Sequence, residues 1–258
     1  MSCCTRAMSV ELWPGMKCMN CGCDFETPYC GQCGQEAASG AVTLAEMKRS
    51  ALRAFSLERG WLHTVVDLCT RPGAMLRDYL GGKRVVYIGP VKFALTIGAI
   101  YLIAMGVFHV PTPAGVSADE ERAVELWNEF SQRFGQPLLL LAAPLIALAT
   151  RLLFPARGHT FAEHLTINLY IIGMQTLLVT PIFAFASFGM AVFAGAYTLC
   201  MLLMIAYFIW VVRQTLASSW WTAILGGVAA VIATGIFYMA IVTPVFLLFA
   251  RMKGAPIV

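Results

Sequence analysis

Four cysteines near the start of the chain have the spacing of metal ligands. They form two Cys-x2-Cys pairs, Cys18 with Cys21 and Cys30 with Cys33, and a glycine follows each pair. A Cys-x2-Cys turn lets two thiolates reach one metal ion, and zinc takes four thiolates in a tetrahedron. Glycine suits the unusual backbone angles of such a turn. The spacing therefore predicts a structural Cys4 zinc site, because the protein itself fills all four coordination positions.

Two other chemistries use cysteines at this spacing. Iron can occupy the same four thiolates, and the spacing does not distinguish it from zinc. A Cys-x2-Cys pair can also be a thiol–disulfide redox site, but neither pair lies in a βαβ pattern. Cys3, Cys4 and Cys23 are further thiols nearby, which we expect not to bind the metal. Structural zinc contributes roughly 10–16 kcal/mol, enough to fold a segment too short to build its own core.

The remainder of the chain has the composition of a membrane protein. Of its 258 residues 59% are hydrophobic and 12% are charged, and the mean hydropathy is +0.73. Soluble domains carry about 25% charged residues. Apolar runs of about 20 residues, the length that crosses a bilayer, predict five spans. These spans are roughly 91–109, 137–154, 165–186, 190–212 and 222–249. The fold class we predict is an all-α polytopic membrane protein preceded by a small zinc-ribbon module.

Three regions follow from this pattern. Residues 1–40 form the zinc-ribbon module, residues 41–90 form basic amphipathic or interfacial helices, and residues 91–250 form the transmembrane helical bundle. In the middle region Lys83 and Arg84 come just before the first span, where cations can contact lipid headgroups. Packing of these helices on the module or on each other is an equal alternative.

Loop charges predict the orientation. Ten Lys and Arg precede the first span, whereas the loop at 110–136 is acidic. The positive-inside rule then places the N-terminus in the cytoplasm. Five spans leave the C-terminus outside, where Arg251 and Lys253 conflict mildly with the rule, and a four- or six-span count would remove that conflict.

Polar residues occur along the third predicted span. His164, Asn168 and Gln175 lie within about 60° of one another around a helix and form a stripe. Such residues can line a transport path, or they can join neighbouring helices by hydrogen bonds, which we favour. His159 and Glu163 stand close to His164 in sequence, but the two imidazoles would lie about 140° apart on a helix. We therefore expect no second metal site there.

Several of these segments resemble a known family. The sequences CMNCG and YCGQCGQ, then RPG, DYLGGKRVVYIGPVKF and FAEHL, are similar to an uncharacterised bacterial membrane-protein family, domain-of-unknown-function family 3667. The resemblance spans roughly residues 18–190. It implies an N-terminal zinc ribbon, a basic linker and several membrane helices, with no established activity. The positions that match the family's motifs are Cys18, Cys21, Cys30, Cys33, Arg71, Pro72, Gly73, Tyr79, Gly82, Lys83, Arg84, Pro90 and His164.

The function predicted from these features is that of an integral bacterial inner-membrane protein. Its cytoplasmic zinc ribbon would act as a binding or scaffolding element, with membrane lipids and a protein as its partners. The alternative is a small-molecule transporter or channel with a path along the third span. A membrane-embedded enzyme is less favoured, since no nucleophile motif or open metal site is visible. Nucleic acid is an unlikely partner, because residues 16–36 carry one Lys against three acidic residues.

Overall fold

The computed structural model describes residues 16–36, 43, 44, 47, 60–108, 117–155, 158–216 and 219–253. The first part of the predicted amphipathic region, residues 41–59, lies outside these residues except for Thr43, Leu44 and Met47. Thr43 and Leu44 are exposed there, and Met47 is buried.

The N-terminal module consists of two short hairpins. Strand β1 (Met16–Lys17) pairs antiparallel with β2 (Asp24–Phe25), and the chain between them makes the first cysteine turn. An isolated antiparallel bridge joins Tyr29 to Glu36 and closes the second turn in the same way. Strands of two residues bury no core, so the module depends on another form of cross-linking.

Nine α-helices follow in the described residues. Their bounds are α1 Trp61–Thr70, α2 Pro72–Leu80, α3 Pro90–Val107, α4 Ala118–Phe130, α5 Gln136–Leu153, α6 Phe161–Val179, α7 Met190–Thr215, α8 Trp220–Phe237 and α9 Thr243–Met252. A π-turn at Ser131–Gly135 joins α4 to α5, another at Tyr238–Val242 joins α8 to α9, and 3-10 turns at Thr180–Phe188 extend α6.

Five of the helical segments are long and apolar enough to cross a membrane. They are Pro90–Val107, Ala118–Leu153, Phe161–Phe188, Met190–Thr215 and Trp220–Met252. The predicted fold class is confirmed: in the described residues a cysteine cluster precedes five such helices, as in a multi-pass membrane protein.

Helix α6 is the centre of the bundle. It packs against α3 and α5, while α5 also packs against α8 and α7 packs against α8. Half of the most apolar stretch of the α6 segment is buried inside the protein. The buried share is 17% in α7 and 17% in the α8–α9 segment. The outer faces of α7 and α8 are consequently left for lipid. The largest fully buried side chains include Tyr170 on α6 and Phe93 on α3.

The charge of the segment at 110–136 suggested a loop, but the segment contains helix α4 from Ala118 to Phe130. Ser117 caps helix α4 by accepting a hydrogen bond from the Glu120 backbone, and the Glu120 carboxylate accepts one from the Ser117 backbone. This capping box satisfies backbone donors at the helix start and lets Asp119 and Glu121 lie in the first turn, which favours anions. The α-helix of the third span ends at Val179 because Pro181 has no N–H to donate.

Candidate metal centre

The four cysteines predicted as metal ligands lie together. Their Sγ atoms are all within 4.8 Å of one another, and they form the only cluster of its kind among the described residues. Cys18 Sγ is 3.5 Å from Cys33 Sγ, and Cys21 Sγ is 3.6 Å from Cys30 Sγ. A tetrahedron with Zn–S bonds of about 2.3 Å has edges of about 3.8 Å. The donor set and its spacing therefore fit one thiolate-bound ion, and all four cysteines are free of disulfides.

The two cysteine turns are built alike. In the first, the Gly22 N–H donates to the Cys18 carbonyl at 2.8 Å, and in the second the Gly34 N–H donates to the Cys30 carbonyl at 2.8 Å. Gly22 has φ 77° and Gly34 has φ 75°. These left-handed angles strain any residue with a Cβ, so the glycine after each pair is required by the turn. The sequence thus directs two thiols of each turn to the same point.

The backbone around Cys18 also favours its thiolate. Burial alone would raise the pKa of this thiol, but hydrogen bonds from the backbone of Cys21 and Asn20 and from neighbouring thiols lower the pKa to about 6. The thiolate is the form that binds metal. Cys23 lies outside the cluster, and its carbonyl accepts the Cys18 N–H at 2.8 Å. Cys3 and Cys4 lie outside the described residues.

One side chain joins the module to the membrane domain. Gln35 is 3% exposed, and its Oε1 accepts the backbone N–H groups of Arg84 at 3.3 Å and Val85 at 3.2 Å. The Gln35 carbonyl accepts the Cys30 N–H at 2.7 Å. The residue that seats the module on the loop before α3 is thus also part of the second cysteine turn.

The surface that receives the module, here called the platform, comprises α1, α2 and residues 81–89. A buried carboxylate holds its parts together. The side chain of Asp67 on α1 accepts two hydrogen bonds from the Arg71 guanidinium, at 2.9 and 2.8 Å, and one from the Tyr87 hydroxyl at 3.0 Å. His63 Nε2 lies 3.4 Å from the same carboxylate, and its ring stacks on Tyr87.

These contacts shift the pKa values of both buried groups. Burial disfavours the Asp67 anion, but the hydrogen bonds from Arg71 and Tyr87 outweigh burial and lower the pKa of this carboxyl. Burial and the Asp67 carboxylate together raise the pKa of Tyr87 to about 12. The carboxylate is therefore charged and the phenol neutral at pH 7, which keeps Tyr87 a hydrogen-bond donor.

The platform is fixed to the helical bundle at several points. The backbone N–H of Gly73 on α2 donates to Gln214 Oε1 at 3.0 Å, and Arg77 donates to the Gln214 carbonyl at 2.8 Å. The Tyr207 hydroxyl donates to the Leu68 carbonyl at 3.1 Å, and the Tyr170 hydroxyl donates to the Ile88 carbonyl. Helices α1 and α2 and the loop after them are thus joined to the bundle, a contact that neither alternative for the middle region named.

The two cations predicted to contact headgroups both have contacts within the protein. Lys83 Nζ lies 2.9 Å from the Asp78 carboxylate, although its side chain is 45% exposed. The Arg84 guanidinium lies 5.6 Å from the centre of the Tyr79 ring, and its Nε donates to the Tyr79 carbonyl at 3.5 Å. Both side chains thus have partners on α2, the helix just before them.

The polar stripe of the third span is divided between two neighbours. His164 Nδ1 lies 3.2 Å from Thr150 Oγ1 on α5, and Asn168 Nδ2 donates to the same hydroxyl at 3.2 Å. Gln175 instead donates to the Met204 carbonyl on α7 at 3.0 Å. His164 and Asn168 thus share a partner and Gln175 does not. The Nε2 atom of His164 is buried and has no hydrogen-bond partner.

His159 does not lie on α6 as the angular argument assumed. The helix begins at Phe161, so the chain before it can turn back, and the His159 and His164 rings are 6.1 Å apart. His159 Nδ1 lies 3.5 Å from the Glu163 carboxylate. These three side chains are neighbours, but the metal-ligand cluster of the described residues is the four-cysteine group.

The sequence pattern did not point to Gln35, Asp67 or Tyr87. Asp67 and Arg71 are four residues apart on one helix, a spacing that favours an ion pair and could have indicated the contact. Tyr87 and Gln35 meet partners 20 and about 50 residues away, and nothing local in a single sequence identifies such pairs.

Comparison with known proteins finds one family model that matches the platform. Residues 58–102 match the family model described as "Protein of unknown function (DUF3667)". This segment contains α1, α2, the 81–89 loop and most of α3, and therefore the Asp67 cluster and the amides that receive Gln35. No curated protein and no solved structure matches the chain. The family resemblance predicted from the sequence is confirmed, and the match to DUF3667 covers the membrane-proximal part of this chain.

Proposed function

We propose that this multi-pass membrane protein uses its N-terminal Cys4 module as a zinc-stapled binding or scaffolding element held on the platform. The observation that carries the proposal is the seat of Gln35 on the Arg84 and Val85 amides. A module that was only tethered would need no buried side chain at this point. Such a seat would hold a metal bound by the module in a fixed position relative to the membrane helices.

Zinc is the metal we propose, held by Cys18, Cys21, Cys30 and Cys33. Bound there, it would cross-link the two hairpins and supply the folding energy that their short strands lack. With four protein ligands there is no coordination position for water or substrate, so the role is structural. Iron on the same thiolates is the alternative metal.

The exposed side of the module favours a protein partner. Met19 is 56% exposed and Tyr29 is 53% exposed, and both residue types are enriched at protein interfaces. The nearby charges are acidic, since residues 16–36 carry Lys17 against three acids. Four thiolates around a divalent ion add two further negative charges. A partner with a basic or apolar surface fits this side, and nucleic acid does not.

We further propose that the module lies in the cytoplasm, on the inner membrane of a bacterium. Arg151 and Arg213 lie near the ends of α5 and α7, and α7 carries Gln214, which contacts the platform. The acidic helix α4 begins at the opposite end of its 36-residue helix. Basic residues at the module end and acidic residues at the other end support the cytoplasmic orientation.

The proposal is tested by metal content and by hydrogen exchange on the detergent-purified protein. We expect about one zinc per chain in the wild type and in Cys69→Ser, a control that removes a thiol outside the cluster. Cys30→Ser should lose the metal and release Gln35. The amides of Arg84 and Val85 should then exchange faster, because Gln35 no longer accepts their hydrogen bonds.

Two results would contradict the proposal. One is a zinc content far below one per chain together with normal folding of a variant in which all four cysteines are serine. The other is unchanged exchange at Arg84 and Val85 after the metal is lost, because the module would then not depend on its metal for the seat. The partner surface is tested by affinity purification, in which the proteins that bind the wild type are compared with those that bind the double variant Met19→Ser with Tyr29→Ser.

A transporter with a polar path remains the second candidate. The observation that favours it is the buried His164 Nε2 without a partner, an acceptor positioned inside the bundle. His164→Ala and Gln175→Ala should then abolish a flux measured in proteoliposomes without lowering expression. A flux that both variants retain would reject this path.

A further inference from the structure

Two consecutive backbone N–H groups on the platform point at one oxygen atom. The amides of Arg84 and Val85 both donate to Gln35 Oε1, at 3.3 and 3.2 Å. Two amides that converge on one oxygen in this way can also receive an anion, and this pair of amides is here called the nest. In the described fold the atom in this nest is the neutral oxygen of a carboxamide.

The surroundings of the nest are basic. Arg77, Lys83 and Arg84 lie within eight residues of one another, with Asp78 as the one acid among them. Lys83 reaches Asp78 but keeps a side chain that is 45% exposed. Gly82, with φ 104°, allows the chain to turn at this point. Glu36 follows Gln35 in the module, so these cations favour an anion at the amides when the module is not seated.

The position of the nest fits a phosphate at the membrane surface. Helix α3, the first membrane-spanning helix, begins at Pro90. Pro90 is five positions after Val85, and an extended chain of that length covers at most about 18 Å. The amides thus lie within about 18 Å of the start of a spanning helix, a range that includes the lipid phosphates.

We propose that the Arg84–Val85 amides form a phosphate-binding site that Gln35 closes when the module is seated. The ligand class is a phosphate oxygen, carried by an anionic lipid headgroup or by a free phosphate. The Gln35 oxygen and the phosphate compete for the same two donors. Because Gln35 belongs to the second cysteine turn, the folded state of the module determines whether the site is open.

The inference rests on the seating of the module proposed above. It is tested with variants that change the side chain at position 35. Gln35→Ala removes the competing oxygen and opens the site. Gln35→Glu places a carboxylate on the amides, and the charge-assisted bonds hold it more tightly than the carboxamide. Gln132→Ala is the matched control, because Gln132 donates to the Met105 carbonyl far along the chain from the platform.

Binding is measured in two arms. Inorganic phosphate is titrated calorimetrically into the detergent-purified chains, and lipid retention is measured by native mass spectrometry from nanodiscs of phosphatidylglycerol or phosphatidylcholine. We expect Gln35→Ala to bind phosphate or retain phosphatidylglycerol at least about tenfold more strongly than the wild type, the value of one charged hydrogen bond. Gln35→Glu should bind more weakly than the wild type, and Gln132→Ala should match it.

Each outcome bears on the inference. Selective retention of phosphatidylglycerol identifies the headgroup as the ligand, and binding of inorganic phosphate alone identifies a free phosphate. Equal binding by Gln35→Ala, Gln35→Glu and the wild type overturns the site. Loss of the module's metal in Gln35→Ala does not obscure the test, because the amides belong to the platform and stay open. A failure of the seating would appear separately, as wild-type Arg84 and Val85 amides that exchange as fast as those of Gln35→Ala.

Discussion

Gly73→Ala tests how the platform is held on the bundle. A Cβ at this position would lie 2.5 Å from Gln214 Cβ and 2.7 Å from Gln214 Oε1, whereas carbon atoms in contact are about 3.5–4.0 Å apart. Overpacking of this kind costs about 1–3 kcal/mol. The movement that relieves it also breaks the 3.0 Å hydrogen bond from Gly73 to Gln214, which adds about 1 kcal/mol. We therefore expect a loss of about 2–4 kcal/mol.

The loss is measured as a melting temperature in detergent, followed by tryptophan fluorescence. For a chain of this size 1 kcal/mol corresponds to a shift of roughly 2 °C, so the variant should melt about 4–8 °C lower. Gly195→Ala is the control, because Gly195 lies in α7 with nothing within 4 Å of its added Cβ. It should be neutral or slightly stabilising, since alanine favours a helix by up to about 1 kcal/mol.

A double variant separates the steric contact from the hydrogen bond. Gln214→Ala removes the acceptor, and either single change abolishes the same hydrogen bond. Gly73→Ala with Gln214→Ala should consequently be less destabilising than the sum of the single changes, by about 1 kcal/mol. The reasoning is refuted if Gly73→Ala melts with the wild type and with Gly195→Ala, because the close approach of α2 to α7 would then not exist.

Three further predictions concern the platform and the far end of the bundle. Asp67→Asn should lower the free energy of unfolding by about 1.5–3 kcal/mol at pH 7, because it removes a charged acceptor. Folding lowers the pKa of Asp67. The difference in stability between the wild type and Asp67→Asn should therefore shrink below about pH 4, as the carboxylate protonates. Gly60→Ala should cost about 1–3 kcal/mol, because φ is +118° and the Cβ would lie 2.5 Å from the Val86 carbonyl oxygen. Lys253→Met should change stability by less than about 1 kcal/mol, since its ion pair with Glu129 is exposed. Melting curves measure all three, and those for Asp67 are recorded from pH 7 to about pH 2, through the range in which a carboxyl protonates.

Controls and contrary results are specific to each change. A pH-independent difference between the wild type and Asp67→Asn would show that the carboxylate is not charged in the folded protein. Gly158→Ala has a positive φ of 66° but nothing within 4 Å, so it should be milder than Gly60→Ala, and equal losses would reject the contact with Val86. A large loss in Lys253→Met would mean that the end of α9 is held mainly by this ion pair.

The features predictable from the sequence are those fixed by local spacing. A Cys-x2-Cys pair followed by glycine determines a turn, and an apolar run of about 20 residues determines a span, whatever else the chain does. The acidic segment at 117–130 also carried a local helix signal, Ser117 followed by Glu120. Its charge concealed that signal, because high polarity without apolar periodicity resembles a loop.

The contacts between elements were not predictable in this way. His164, Asn168 and Gln175 share one face of a helix, but a face of a bundle helix can border two neighbours, and here α5 and α7 divide the stripe. The seat of Gln35 joins residues about 50 positions apart through backbone amides. Backbone donors carry no residue identity, so no sequence pattern reveals where they point.

The continuous helix from Ala118 to Leu153 is longer than a membrane span requires. Its 36 residues extend about 54 Å at 1.5 Å per residue, well beyond a hydrocarbon layer of about 30 Å. The acidic half therefore stands clear of the bilayer, while Thr150, near the other end, accepts the hydrogen bond from Asn168. One continuous helix, with a π-turn at Ser131–Gly135, thus links the acidic segment on one side of the membrane to the contacts of Thr150 with His164 and Asn168 near the other.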